Sequence, residues 1–158
     1  MSRDQILLSL AQVEWAYAPY DESGALQEIA ERIARTGRLG TSLISYSNLV
    51  AGMVFRFSNV NNGEPFTIDT HNWYGLHRRI IGDCLGYLSN VSYRDYGFMA
   101  SALVVGLVEN RPSDIFFEWM NELGAIPDLS EETITEFWVD QVTRAVEWYK
   151  RNPQGFVV

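Results

Sequence analysis

Cys84 is the only cysteine in this chain of 158 residues. That excludes an internal disulfide framework and any zinc site built from several cysteines. Lysine is equally scarce: eleven of the twelve basic residues are arginine, and Lys150 is the one lysine. No run of eighteen apolar residues occurs, so no segment reads as a membrane span. The opening Met1-Ser2-Arg3-Asp4-Gln5 leads into an amphipathic stretch without a small-residue cleavage site, which predicts an unsecreted, cytoplasmic protein. A phosphate-binding P-loop, a glycine-rich dinucleotide loop, a Gly-x-Ser-x-Gly elbow and a His-Glu-x-x-His pair are all missing. Their absence weakens the case for an enzyme, and no cofactor is expected.

Acidic residues outnumber basic ones by 20 to 12, for a net charge of −8. That balance argues against nucleic acid as a partner, since such binding draws most of its strength from neutralised phosphates. Hydrophobic residues make up 47% of the chain and charged residues 20%, ordinary values for a folded domain. The length fits one domain over residues 1–158, with 152–158 as a short tail. Aromatics are plentiful: five Trp, eight Tyr and eight Phe, so either the core is ring-rich or some rings line a pocket or an interface. Arginine in place of lysine favours planar, forked contacts with carboxylate, phosphate or rings.

Helical spacing of Ile6, Leu7, Leu10, Val13 and Tyr17 predicts a first helix over 4–17, ended by Pro19. A second is expected from about Asp21 to Thr36, with Gly37 after its end and Leu26, Ile29, Ala30 and Ile33 inward. Ser45 caps a short third helix reaching about Met53. Alternating residues at 54–57 and 66–69, around Asn61-Asn62-Gly63, predict a small β-hairpin. Leu76, Ile80, Ile81, Cys84, Leu85 and Leu88 mark the strongest helix, over 73–88. The apolar run 98–105 reads as a buried strand. Helices over 113–123 and from Ser130 to about Arg151 complete the chain; Leu129 and Ile134 are spaced as a hydrophobic staple, and Ile134, Phe137, Trp138, Val142, Ala145 and Tyr149 face inward. The expected class is α+β, mostly helical, with about six helices, a small hairpin and one buried strand.

The stretch LGYLSNVSYRDYGFMASALVV (85–105), followed by PSDIFFEWMNELG (112–124), resembles a family of small bacterial and phage proteins that implies no particular activity. Upstream, ISYSNLVAGM (44–53) and Arg79-Ile80-Ile81-Gly82-Asp83-Cys84-Leu85 are similar to the paired helices of winged-helix modules, including the DNA-alkyltransferase-like proteins. The resemblance implies a winged-helix-like core. The alkyltransferase nucleophile sits in a Pro-Cys-His-Arg strand that this chain lacks, so that chemistry does not carry over.

Both histidines fall in the segment Thr70 to Arg79, with Asp69 before it and Trp73, Tyr74, Arg78 and Arg79 inside it. It leads into the most periodic helix, whose free amides and two guanidiniums suit a phosphate or carboxylate stacked on a ring. Trp73, Tyr74, His77, Arg78 and Arg79 are therefore the candidate ligand-binding residues. The alternative for the two arginines is exposed ion pairing with this acidic protein's own carboxylates. His71 and His77 are six residues apart, a poor spacing for chelation, so no metal site is expected. Cys84 lies on an apolar stripe and reads as a small buried hydrophobe. The i,i+4 pairs Glu118/Glu122 and Glu132/Glu136 read as hydrated faces. Phe116, Phe117, Trp119, Met120 and Leu123 make too wide a stripe for one seam, which leaves Phe116 and Trp119 as candidates for a partner.

Three functions follow as expectations. The first is a non-catalytic binding protein acting on a protein partner, with self-association as one form. The second is a binder of an anionic, nucleotide-derived small molecule; the third is an enzyme using Cys84 or His77. DNA binding is a minor fourth.

Overall fold

The longest element of the computed structural model, which describes residues 3–40 and 43–158, is a helix from Gly75–Tyr96 (α4 below). Around it in chain order are α1 (Arg3–Ala11), α2 (Ala25–Leu39), β1 (Ile44–Ser45), α3 (Tyr46–Val50), β2 (Val104–Val105), α5 (Asp114–Leu123) and α6 (Glu131–Arg151). The mostly helical α+β class predicted from the sequence is what the chain adopts.

Helix α4 runs eight residues past the expected end at Leu88. Apolar periodicity stops there because the buried face continues in serines. Ser89 and Ser92 are fully buried, yet both are satisfied. The Ser89 hydroxyl lies 2.7 Å from that of Ser101 and accepts the Ser101 N–H at 3.0 Å. Ser92 donates to the Phe98 carbonyl at 2.6 Å and accepts the Ala100 N–H at 3.0 Å. Buried hydroxyls are tolerated when bonded in this way. Gly97, at φ 84°, then ends the helix, its N–H donating to the carbonyls of Ser92 and Tyr93.

The same bonds correct the expected strand over 98–105. Side chains hold its backbone donors, so Ala100–Leu103 coils into a 3₁₀ turn and only Val104 and Val105 are extended. The Met99 N–H donates to the buried Gln141 side chain on α6 at 2.8 Å. Strand β2 pairs in parallel with β1, Ile44 opposite Val104 and Ser45 opposite Val105.

The expected hairpin is reduced to one antiparallel bridge, with Phe55 and Phe66 exchanging both N–H···O bonds at 2.8 Å. Pro65 has no N–H to extend the ladder. Phe57 instead bridges Asp21 in the segment after α1. Among the described residues these two isolated bridges are the only antiparallel pairing. Asn61 and Asn62 do take the left-handed turn conformation, at φ 52° and 54°.

Helix α1 ends at Ala11 rather than Tyr17 because Asp83 of α4 captures the backbone beyond it. Its carboxylate accepts the N–H groups of Ala16, Tyr17 and Ala18 at 2.8 to 2.9 Å. Helix α2 passes through Gly37 and stops at Gly40, three residues later than predicted. Helices α3, α5 and α6 start at Ser45, Ser113 and Ser130 as expected, with Ser45 and Ser130 bonding the N–H groups of Asn48 and Thr133. Of the inward set on α6, Ile134, Ala145 and Tyr149 are buried and Phe137, Trp138 and Val142 are partly so. One buried cluster joins α2, α3, α4 and the end of α6; a second joins α1, α5 and the start of α6.

Candidate functional site

The strap over residues 55–74 delivers the chain to the start of α4. Asp69 turns it, accepting the His71 N–H at 2.9 Å and the Asn72 side-chain amide at 3.1 Å. Those bonds hold the Asp69 carboxyl below the usual carboxylate range. Tyr74 occupies the cap position with no side-chain bond to the helix, and the first turn holds no acid. The leading amides of α4 are therefore uncapped, and the first i,i+4 bond is Arg78 N–H to the Tyr74 carbonyl.

His77, third in the helix, is 7% exposed. Its ring lies parallel to Phe66, with centroids 5.9 Å apart and planes 9° apart, and meets Tyr74 at 4.0 Å. Val60, Asn61, Phe66 and Thr67 on the strap face Tyr74, Leu76 and His77 across a cleft of about 260 Å³. His77 Nδ1 is buried without a hydrogen-bond partner. Burial pushes its pKa down, with Asp69 opposing in part, so the imidazole is neutral near pH 7. An orphaned N–H costs more than an orphaned lone pair, which places the single proton on Nε2.

Of the predicted ligand residues, Tyr74 and His77 line this cleft. Trp73 packs half-buried against the main core. Arg78 and Arg79 lie exposed on the outer face of α4, flanking the cleft rather than lining it. Neither forms an ion pair among the described residues, so the alternative of exposed pairing is not realised. The Arg79 guanidinium folds back over the helix start, 3.2 Å from where a Cβ on Gly75 would sit. No group of three metal-ligating side chains occurs among the described residues.

The two partner candidates sit differently. Phe116 is 8% exposed and belongs to the second core cluster, in edge-on contact with Phe117 at 5.1 Å, so it offers no free face. Trp119 is half-buried, perpendicular to Trp15 at 6.2 Å, and both cover Gly86. Cys84 is buried and its thiol pKa is pushed far up by desolvation, with Asp83 and Asp21 adding to the rise. Glu118, Glu122, Glu132 and Glu136 are exposed.

Two features escaped the sequence reading. Phe66 and Thr67 become a wall of the cleft only because the strap folds onto α4, which no periodicity signals. Leu107 and Val108 stand 76% and 92% exposed on a loop closed by bonds from Gly106 N–H to the Arg111 carbonyl and from Asn110 N–H to the Gly106 carbonyl. Arg111 clamps that loop, bonded to both carboxylate oxygens of Glu131 at 2.7 and 3.2 Å.

No helix among the described residues is long and apolar enough to cross a membrane. No known family, curated protein or solved structure matches the chain.

Proposed function

We propose that this chain is a non-catalytic binding protein that holds a small anionic ligand bearing a planar ring in the cleft at the start of α4. One juxtaposition carries the reading: an uncapped helix start with two unpaired guanidiniums adjoins a ring-lined cleft holding an unpartnered imidazole. Free amides and guanidiniums supply the anion's hydrogen bonds, and Tyr74 and Phe66 supply apolar ring faces. The buried Cys84 thiol has no standing as a nucleophile, which favours binding over catalysis. A reduced, cytoplasmic setting fits the single free thiol.

Thermal melting with a panel of nucleotides tests this. A ligand at a hundred times its Kd adds about 2.7 kcal/mol, which moves the melting of a chain this size by roughly 5–10 °C. The reading fails if the panel shifts the native protein no more than the doubly substituted Arg78→Ala/Arg79→Ala chain.

A protein partner is the second reading, supported by the outward display of Leu107 and Val108 on a clamped loop. Here the partner is another protein or a second copy of the chain. Light scattering over a concentration series tests the second-copy form: a strict monomer, unchanged by Leu107→Ser/Val108→Ser, counts against it.

A further inference from the structure

The proposed ligand site contains one imidazole, which can give or accept a hydrogen bond and whose pKa burial holds below the ordinary 6.5. We infer that His77 selects the ligand as a neutral donor: Nε2–H gives its bond to an oxygen acceptor of the ligand, and acid empties the cleft by protonating the imidazole. This rests on the ligand reading above and says what the site recognises and how it is regulated.

The geometry carries it. The ring is wedged between Phe66 and Tyr74 and cannot turn without parting one of them. Nδ1 is enclosed with no acceptor in reach, so a second proton there would be a buried charge without a hydrogen bond. Among the described residues Nε2 has no hydrogen-bond partner, and it is not one of the enclosed atoms, leaving it open to the cleft that His77 lines. The protein's ionisable groups around the ring do not reverse this balance, and the ligand's anion, which would favour the imidazolium, is assigned to the leading amides of α4 and not to the ring. From α4 itself come Arg78 and Arg79, both exposed. From the strap come Asp69, whose charge favours the imidazolium but acts from an exposed position, together with His71 and Tyr74. The facing wall of Val60, Asn61, Phe66 and Thr67 brings no ionisable side chain.

Acid therefore has one route to relieve the buried proton, the withdrawal of the imidazole from its stack. That withdrawal removes a cleft wall and the donor together. Ligands with a carbonyl or acid oxygen toward Nε2 are accepted, and those presenting only a donor there are rejected.

The test measures binding of uridine 5′-monophosphate, phenyl phosphate and inorganic phosphate by calorimetry between pH 5 and pH 8. Wild-type affinity for the two ring-bearing probes is expected to fall about tenfold per pH unit below the His77 midpoint, the slope of one linked proton. His77→Gln keeps a neutral N–H donor, so its profile flattens to whatever titration of the phosphate itself remains. His77→Phe keeps the stack but not the donor, and weakens binding at least tenfold at every pH. In the unliganded protein, ¹⁵N–¹H correlation must show the proton on Nε2 of His77 and a His77 titration midpoint below the ordinary 6.5. Tighter binding in acid, a His77→Phe chain that binds as well as wild type, a proton on Nδ1, or a His77 midpoint at or above the ordinary 6.5 each overturns the inference alone. Failure of every probe to bind at pH 8 overturns the ligand reading beneath it as well.

Discussion

The ring of Tyr149 lies against the backbone of Gly37, so closely that a Cβ on Gly37 would sit 2.7 Å from Tyr149 Cγ and closer still to Cδ2. Alanine ordinarily favours a helix interior over glycine by up to about 1 kcal/mol. Here the overlap dominates, and Gly37→Ala should destabilise the protein by about 1–3 kcal/mol in urea unfolding. Gly82 in α4 is the control: nothing lies within 4 Å of its Cβ position, and Gly82→Ala should stabilise by about 0.4–1 kcal/mol. Equal signs for the two substitutions would contradict this packing.

Asp83 holds the turn after α1 by three backbone bonds. Asp83→Ala strands those N–H groups, two of them in partly buried bonds, and should cost about 1–3 kcal/mol. Hydrogen exchange at Ala16, Tyr17 and Ala18 should accelerate while the amides of α6 keep their protection.

Gln141→Leu leaves the buried Met99 N–H without its acceptor. The loss should be about 1–3 kcal/mol, despite the added apolar volume. Urea midpoints measured beside wild type decide it.

Stability should also sense acid through His77. Its pKa is lower in the folded chain than the ordinary 6.5, so the unfolded chain takes up the proton first. The contribution is complete above about pH 6.5 and drains away as the pH falls through the folded-state value. The carboxyls held low by hydrogen bonds, Asp69, Asp95, Asp128 and Glu131, act only below about pH 4.5, outside that window. Melting curves from pH 5 to pH 7 should therefore slope in wild type and lie flatter in His77→Phe.

The Cys84 thiol should resist alkylation in the native state and react only as the chain unfolds, on the same urea curve as circular dichroism. Fast native labelling would mean that the core around α4 opens locally.

Sequence alone made the later helices legible, because Ser45 and Ser130 announce α3 and α6, and Pro112 and Gly124 bracket α5, before any tertiary contact forms. The misread segments are those where a side chain far along the chain holds the backbone. Ser89 and Ser92 coil the segment after α4, Asp83 cuts α1 short, and Tyr149 draws Gly37 inside α2 instead of leaving it beyond the end. At the site, His77 and Tyr74 could be picked out because ring, imidazole and helix start adjoin in sequence. Their facing wall lies a strap away, and only folding sets it there. Phe116 shows the converse, since a stripe too wide for one seam was absorbed by a second core.

One end of α4 forms the cleft. At the other, the Tyr96 ring lies against Trp148, centroids 4.4 Å apart and planes tilted by 37°, two residues before the protein's one lysine. A helix of 22 residues is about 33 Å long. Amine-coupling chemistry at the Lys150 side chain would thus tether a molecule by the far tip, away from the cleft, with the α-amino group as the one competing amine.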